Sequence, residues 1–96
     1  MIGFGQLTYV PDDNFENYLE AIGMGNGIFN DDSVFTSLID TVTNLNVSNR
    51  NIFDLTGIED FLSLTHLYCD HNQLSSLDVS NNTDLKILWC QSNQLT

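Results

Sequence analysis

The sequence predicts an α+β solenoid: short strands stacked by an internal repeat, with a short helical cap in front. Three observations carry this. A segment beginning at Leu64 recurs from Leu85 onward. A diverged copy stands one repeat upstream, beginning at Val42. Residues 7–41 do not repeat and have helical patterning instead. Self-similarity at a period of about 20–50 residues marks units that bury their apolar face only by stacking on one another.

The repeat occupies residues 42–96, about two and a half units. "LTHLYCDHNQLSSLDVSNNTD" aligns with "LKILWCQSNQLT", so that Leu64 meets Leu85, Leu67 meets Leu88, Cys69 meets Cys90, Asn72 meets Asn93 and Leu74 meets Leu95. The upstream copy runs Val42, Leu45, Val47, Ile52, and departs where Arg50 takes the asparagine place between Asn49 and Asn51. A half-period is nested inside: Leu64-x-x-Leu67-x-Cys69-x-x-Asn72 is followed by Leu74-x-x-Leu77-x-Val79-x-x-Asn82. In the 22-residue unit Ile52, Leu55, Ile58, Phe61 and Leu64 recur every three residues, a spacing that suits a 3₁₀ or helical turn. The later coil should be flatter, with extended segments on both sides.

The pattern L-x-x-L-x-φ-x-x-N-x-L resembles the leucine-rich repeat. "LYCDHNQLSSLDVSNNTDL" is similar to the 21-residue cysteine-containing repeats of secreted Bacteroidetes surface proteins, and the 22-residue unit resembles internalin-type repeats. The resemblance covers residues 42–96. It implies a leucine-rich-repeat array in a secreted or cell-surface protein that binds and does not catalyse. It also implies that Asn72 and Asn93 bond backbone groups of adjacent turns, forming a ladder along the array.

Residues 7–41 are expected to form the cap. In "PDDNFENYLEAIG", Asp12 or Asp13 serves as N-cap, Asp13 and Glu16 have capping-box spacing, Phe15, Leu19 and Ile22 share a face, and Gly23 ends the helix. "GMGNG" is a loop, and Val34, Phe35, Leu38 and Ile39 suggest a second, short amphipathic helix. The first coil of a repeat array exposes an apolar end that something must cover. "VPDDNFENYL" also resembles the N-terminal cap of that family. At the other end, Leu85, Leu88, Cys90 and Leu95 are expected to form an uncovered coil, either the front of a longer array or a surface for end-to-end self-association. Residues 1–6, "MIGFGQ", place Gly3 and Gly5 at −3 and −1 of a cleavage before Gln6. They read equally as a signal-peptide remnant and as a disordered terminus.

Charge excludes whole classes of partner. Thirteen acidic residues face two bases, Arg50 and Lys86, for a net charge of −11. Nucleic-acid affinity rests on Lys and Arg neutralising phosphates, and anionic membrane surfaces demand the same, so both are disfavoured. No stretch is long enough to insert into a membrane.

The string "HLYCDH" places two histidines and a cysteine within six positions, the raw material of a metal or thiol site. Folded at the repeat period, its ligands diverge: Cys69 takes the inward place that Val47 and Val79 fill, while His66 and His71 face outward. Zinc ligands must converge, so no metal and no cofactor is expected. Cys69 and Cys90 fall on neighbouring rungs about 4.8 Å apart, a poor fit to disulfide geometry. Two free thiols are the expected state and a disulfide the alternative. Asn30, Asp31 and Asp32 lack the spacing of a calcium loop and read as loop caps. No catalytic motif is present. The candidate ligand-binding residues are therefore those of the outward strand face: His66, Tyr68, Asp70, His71, Trp89 and Gln91. Tyr68 and Trp89 share one repeat position on adjacent rungs, and exposed aromatics among short polar side chains suit a protein partner first and a glycan second. The alternative function is a structural cap and spacer, with recognition elsewhere in a longer array.

Overall fold

The computed structural model describes residues 6–95. The chain runs β1 (Leu7–Tyr9), α1 (Asp13–Ala21), β2 (Ser33–Phe35), α2 (Thr36–Ile39), β3 (Asn44–Asn46), a 3₁₀ turn (Ile58–Asp60), β4 (His66–Tyr68) and β5 (Ile87–Trp89). The last three strands form a parallel sheet in the order β3-β4-β5. Their register is that of the repeat: Asn46 lies opposite Tyr68, and Tyr68 opposite Trp89. Pairing continues past the strands, since Val47 N–H donates to Tyr68 C=O and Cys69 N–H to Trp89 C=O.

Alternation along each strand sorts the side chains. Leu45, Val47, Leu67 and Cys69 are buried, at no more than 1% exposure, whereas Asn44, Asn46 and Trp89 are exposed. The core runs unbroken from cap to repeats. Phe15 of α1 stacks on Phe61 behind the 3₁₀ turn, with centroids 6.3 Å apart and planes at 24°. Ile52, Leu55, Ile58, Phe61 and Leu64, the residues with period three, are all buried around that turn. On the far side of the next coil, residues 74–84 include no strand, with turns only at 80–81 and 83–84, and Leu77 and Val79 are only half-buried. The segment expected to be extended there pairs into no sheet among the described residues. Its neighbour offers no strand to pair with, because the 22-residue coil has a 3₁₀ turn at that level.

Two further expectations need correcting in the cap. Val34 and Phe35 belong not to a helix but to β2, which pairs antiparallel with β1, Thr8 opposite Val34. Only Thr36–Ile39 are helical. The apolar residues at 34, 35, 38 and 39 fit both readings, and the unpaired edge of β1 decides between them. The N-cap of α1 is Asp12, whose Oδ1 accepts from Asn14 and Phe15 N–H. Glu16 does not complete a capping box; it turns toward the loop that follows the helix.

Side chains fasten the cap to the first coil. Asp12 Oδ2 accepts from Phe53 and Asp54 N–H, so one carboxylate both starts the helix and holds the coil. Thr8 Oγ1 donates to Asp60 Oδ2 at 2.7 Å. Its single proton being spent there, it accepts from Thr36 Oγ1, also at 2.7 Å. Gly57 lets the two units approach: at φ +110°, a Cβ there would stand 2.8 Å from Val10 Cγ2 and 2.9 Å from the Tyr9 carbonyl.

Candidate functional site

The outward face of β3-β4-β5 is built by register. His66 stands beside Ile87, and Tyr68 beside Trp89. The Tyr68 and Trp89 rings meet edge to face, centroids 4.9 Å apart at 81°, and His66 tilts against Tyr68 at 6.4 Å. Trp89 is 51% exposed. Edge-to-face pairing of this kind contributes about 0.5–1.5 kcal/mol beyond area burial, so the pair is held in place before any partner arrives.

Of the six candidate residues, five reach the surface. Tyr68 and His66 are half-buried, while His71, Trp89 and Gln91 are exposed. Asp70, expected to face outward with the others, is buried at 8% exposure. Its Oδ1 accepts from Ser48 Oγ at 2.6 Å and its Oδ2 meets His71 Nδ1 at 2.8 Å. Those two hydrogen bonds hold the Asp70 carboxyl below the usual carboxylate range. His71 itself adopts φ +57°, as do Asn49 and Ser92, at +57° and +59°, in the corresponding places of the other coils. The chain therefore turns off each strand in the same left-handed conformation; Gln91 before that turn stays exposed, whereas Asp70 is covered by its contacts with Ser48 and His71.

Cys69 and Cys90 are free thiols, the first buried and the second half-buried. Burial pushes the Cys69 thiol up to about 12, with Cys90 and Asp70 adding to the effect. A thiol so raised is a poor nucleophile. Behind the strands, Asn72 Nδ2 donates to the carbonyls of Val47, Cys69 and Asp70, and its Oδ1 accepts from Arg50 and Ile52 N–H. Asn93 repeats the pattern with fewer partners, and Asn82 donates to Ile58 and Phe61 C=O on the other side.

A second polar centre lies in the cap, where sequence reasoning saw only loop capping. Glu16 is fully buried, and its two oxygens accept from Asp31 and Asp32 N–H. Glu20 does the same for Asn26 and Gly27 N–H. Burial pushes the Glu16 carboxyl up to about 6, helped by the Asp31 carboxyl beside it. Asp31 is drawn the other way, chiefly by a hydrogen bond from Asn26. Two overlapping groups, Asp13–Glu16–Asp32 and Glu16–Glu20–Asp31, bring ligand atoms within 4.8 Å of one another, and they are the residues that could hold a cation. The Glu16/Glu20 spacing, one helical turn ahead of a loop with free N–H groups, was the available signal.

No protein-family model matches the chain. Internalin J of Listeria monocytogenes is 39% identical over 75 residues, 78% of this chain. The solved functional domain of internalin J, described as including a cysteine ladder, superposes with a TM-score of 0.77 at 36% identity over 95% of this chain. An internalin of the same organism, inlF, superposes with a TM-score of 0.79 over 92% of the chain; at 24% identity this shows the fold alone. The chain spans 8% of the length of internalin J, 20% of its solved domain and 26% of inlF. Over the matched residues this chain is an internalin-like protein with a leucine-rich-repeat fold.

Proposed function

We propose that the chain is a binding module of an exported, cell-surface leucine-rich-repeat protein and performs no catalysis. Its partner is a protein, engaged through His66, Tyr68, His71, Trp89 and Gln91, with Asp70 holding His71 from below. The observation that carries this reading is the Tyr68–Trp89 pair, edge to face with Trp89 half exposed on a continuous three-strand face. Aromatic residues of this kind dominate the energetics of protein interfaces. The likeness to internalin J supports both the binding role and the exported location. The kinship to Bacteroidetes cysteine repeats rests on the repeat residues themselves.

The test is capture of cell-surface proteins by the immobilised chain, compared with a Tyr68→Ala/Trp89→Ala variant of unchanged circular dichroism. Removing an interface anchor costs about 2 kcal/mol or more, roughly 30-fold in affinity. Equal capture by both proteins would overturn the site. It would favour the second reading, a structural cap and spacer, which the extensive cap-to-coil bonding of Asp12, Thr8 and Asp60 supports.

A further inference from the structure

We propose that the groove between the cap helix and the first coil binds an acidic sugar, whose carboxylate Arg50 holds. The proposal goes beyond the strand-face reading and does not depend on it. The groove has a volume of about 320 Å³. One wall is a stripe of α1, where Asn14, Asn17 and Tyr18 recur at i, i+3 and i+4. The other is Asn49, Arg50 and Asn51, where the repeat breaks its own rule: Arg50 takes the place that Asn72 and Asn93 hold in the later coils. The backbone beneath Arg50 is fixed. Its N–H donates to Asn72 Oδ1, and Asn14 Nδ2 reaches across from α1 to Asn51 C=O at 2.9 Å. Asn49 and Asn51, on either side, both hold φ +57°.

Arg50 is one of two bases in a chain with thirteen acidic residues, yet it forms no ion pair among the described residues. Its guanidinium lies over the Tyr18 ring, 4.1 Å from the centroid, and no carboxylate lines the groove. Stacking fixes the guanidinium and leaves the donors at its edge uncommitted. That planar fork matches a carboxylate through two parallel hydrogen bonds. Beside it, the side-chain amides of Asn17 and Asn49 have no hydrogen-bond partner among the described residues, and Asn17 Oδ1 is buried. A buried acceptor demands a donor, which a carboxylate or a sulfate does not have. A sugar acid supplies both, because the hydroxyls next to its carboxylate donate as well as accept. The size agrees: about 320 Å³ is at the lower end of small-molecule sites, whereas a protein partner covers about 800 Å² on each side. The net charge of −11 opposes a polyanion, but at physiological salt charges beyond about 8 Å are screened, and a single carboxylate meets Arg50 first.

The experiment follows the side-chain signals of Asn17, Asn49 and Arg50 by proton–nitrogen NMR during titration with four probes. These are methyl glucuronide, its neutral twin methyl glucoside, acetyl-aspartate amide as a peptide carboxylate, and sodium sulfate. The glucuronide should shift the three signals saturably, with a dissociation constant of about 10 mM or below, and bind at least about tenfold more tightly than each of the others. Arg50→Gln should weaken it about tenfold or more, and Arg50→Lys, which keeps the charge and loses the fork, at least about threefold. Asn17→Ala should weaken it about fivefold, and alanine favours the helix, so this variant remains decisive if the loss of Arg50 loosens Tyr18. Trp89→Ala should stay within about twofold. Equal binding of glucuronide and glucoside would overturn the proposal by removing the carboxylate from it. So would acetyl-aspartate amide binding as well as the glucuronide, which assigns the groove to an acidic peptide, or sulfate doing so, which leaves it a general oxyanion site. Absence of saturation, or glucuronide binding indifferent to Arg50→Gln and Asn17→Ala, would overturn it outright. None of these outcomes touches the capture experiment, on which the strand face itself depends.

Discussion

Asn72 offers the sharpest energetic test, because its five hydrogen bonds can be followed one by one after truncation to alanine. Its Oδ1 receives Arg50 N–H at 2.9 Å and Ile52 N–H at 3.0 Å. Arg50 is exposed and water can replace the lost acceptor there, but Ile52 is fully buried and its N–H would be orphaned. On the donor side, Asp70 C=O keeps Asn49 N–H and Cys69 C=O keeps Asn93 Nδ2. Val47 C=O, on a fully buried residue, has no such substitute. Two buried backbone groups are left unpaired, each at roughly 1–3 kcal/mol, so Asn72→Ala should cost about 4 kcal/mol.

A domain of this kind has a total stability of about 5–15 kcal/mol, so the loss is a large part of it. Asn93→Ala provides the internal scale. Its Oδ1 receives one N–H, from buried Leu74, and of its three carbonyl acceptors Cys69 C=O keeps Asn72 while those of Cys90 and Gln91 lie on partly or fully exposed residues. One orphan predicts about half the effect, roughly 2 kcal/mol. Urea unfolding followed by circular dichroism and Trp89 fluorescence measures both, with the slope unchanged if only the native state is affected. An Asn72→Ala loss below about 1 kcal/mol, or one no larger than that of Asn93→Ala, would refute the orphan-counting argument.

The remaining predictions address the cap and the thiols. Glu16 has a raised carboxyl, about 6 in the fold against 4.5, so the folded chain binds more protons than the unfolded chain between these values. Stability from this group is therefore fully present below pH 4.5 and lost as pH rises through 6. Glu16→Gln should remove that slope in thermal melts, while leaving one of the Asp31 and Asp32 N–H groups without an acceptor, at roughly 1–3 kcal/mol. Asp31, Asp70 and Asp78 are lowered from 3.8 and act in the opposite sense, their stabilisation being lost as pH falls below that value. Gly57→Ala meets both an unfavourable φ and the Tyr9 carbonyl, and should destabilise by about 1–3 kcal/mol in the same melts. In a thiol-reagent time course at pH 8, half-buried Cys90 should react first and Cys69 only at the rate of unfolding; two fast thiols would contradict the placement.

What could be read in the chain was whatever repeats. The repeat alignment, with Leu45, Leu67 and Leu88 in one place, anticipates the strand register, and the period-three residues around Ile58 anticipate the 3₁₀ turn. Inward placement of Cys69 follows from its equivalence to Val47, since alternation leaves no other choice for that position. Contacts made once leave no periodicity. Asp12 reaching Phe53 and Asp54, Glu16 reaching Asp31 and Asp32, and Thr8 reaching Asp60 join residues 15 to 52 positions apart. Each satisfies backbone or side-chain groups that neither a strand nor a helix supplies, a demand that appears only once the chain has folded. β2 escaped notice for a related reason: its antiparallel partner is β1, on the other side of α1 in the chain, so local pattern does not specify the pairing.

Asp70 shows why a face cannot be inferred from alternation alone. Strand periodicity holds through Trp89 and Tyr68, and extrapolated two residues it sends position 70 outward. Gln91 obeys the extrapolation and stays exposed, but Asp70 is buried, drawn into hydrogen bonds that Gln91 does not make. There its charge needs partners, and it takes Ser48 from the preceding coil and His71 from its own. A buried carboxylate with two donors costs less than one exposed to the same burial without them. Its consequence reaches the surface through His71, whose proton it fixes on Nδ1. A residue lost to direct contact therefore determines how its exposed neighbour is held. The orientation of His71 on the outward strand face is set from one layer below it.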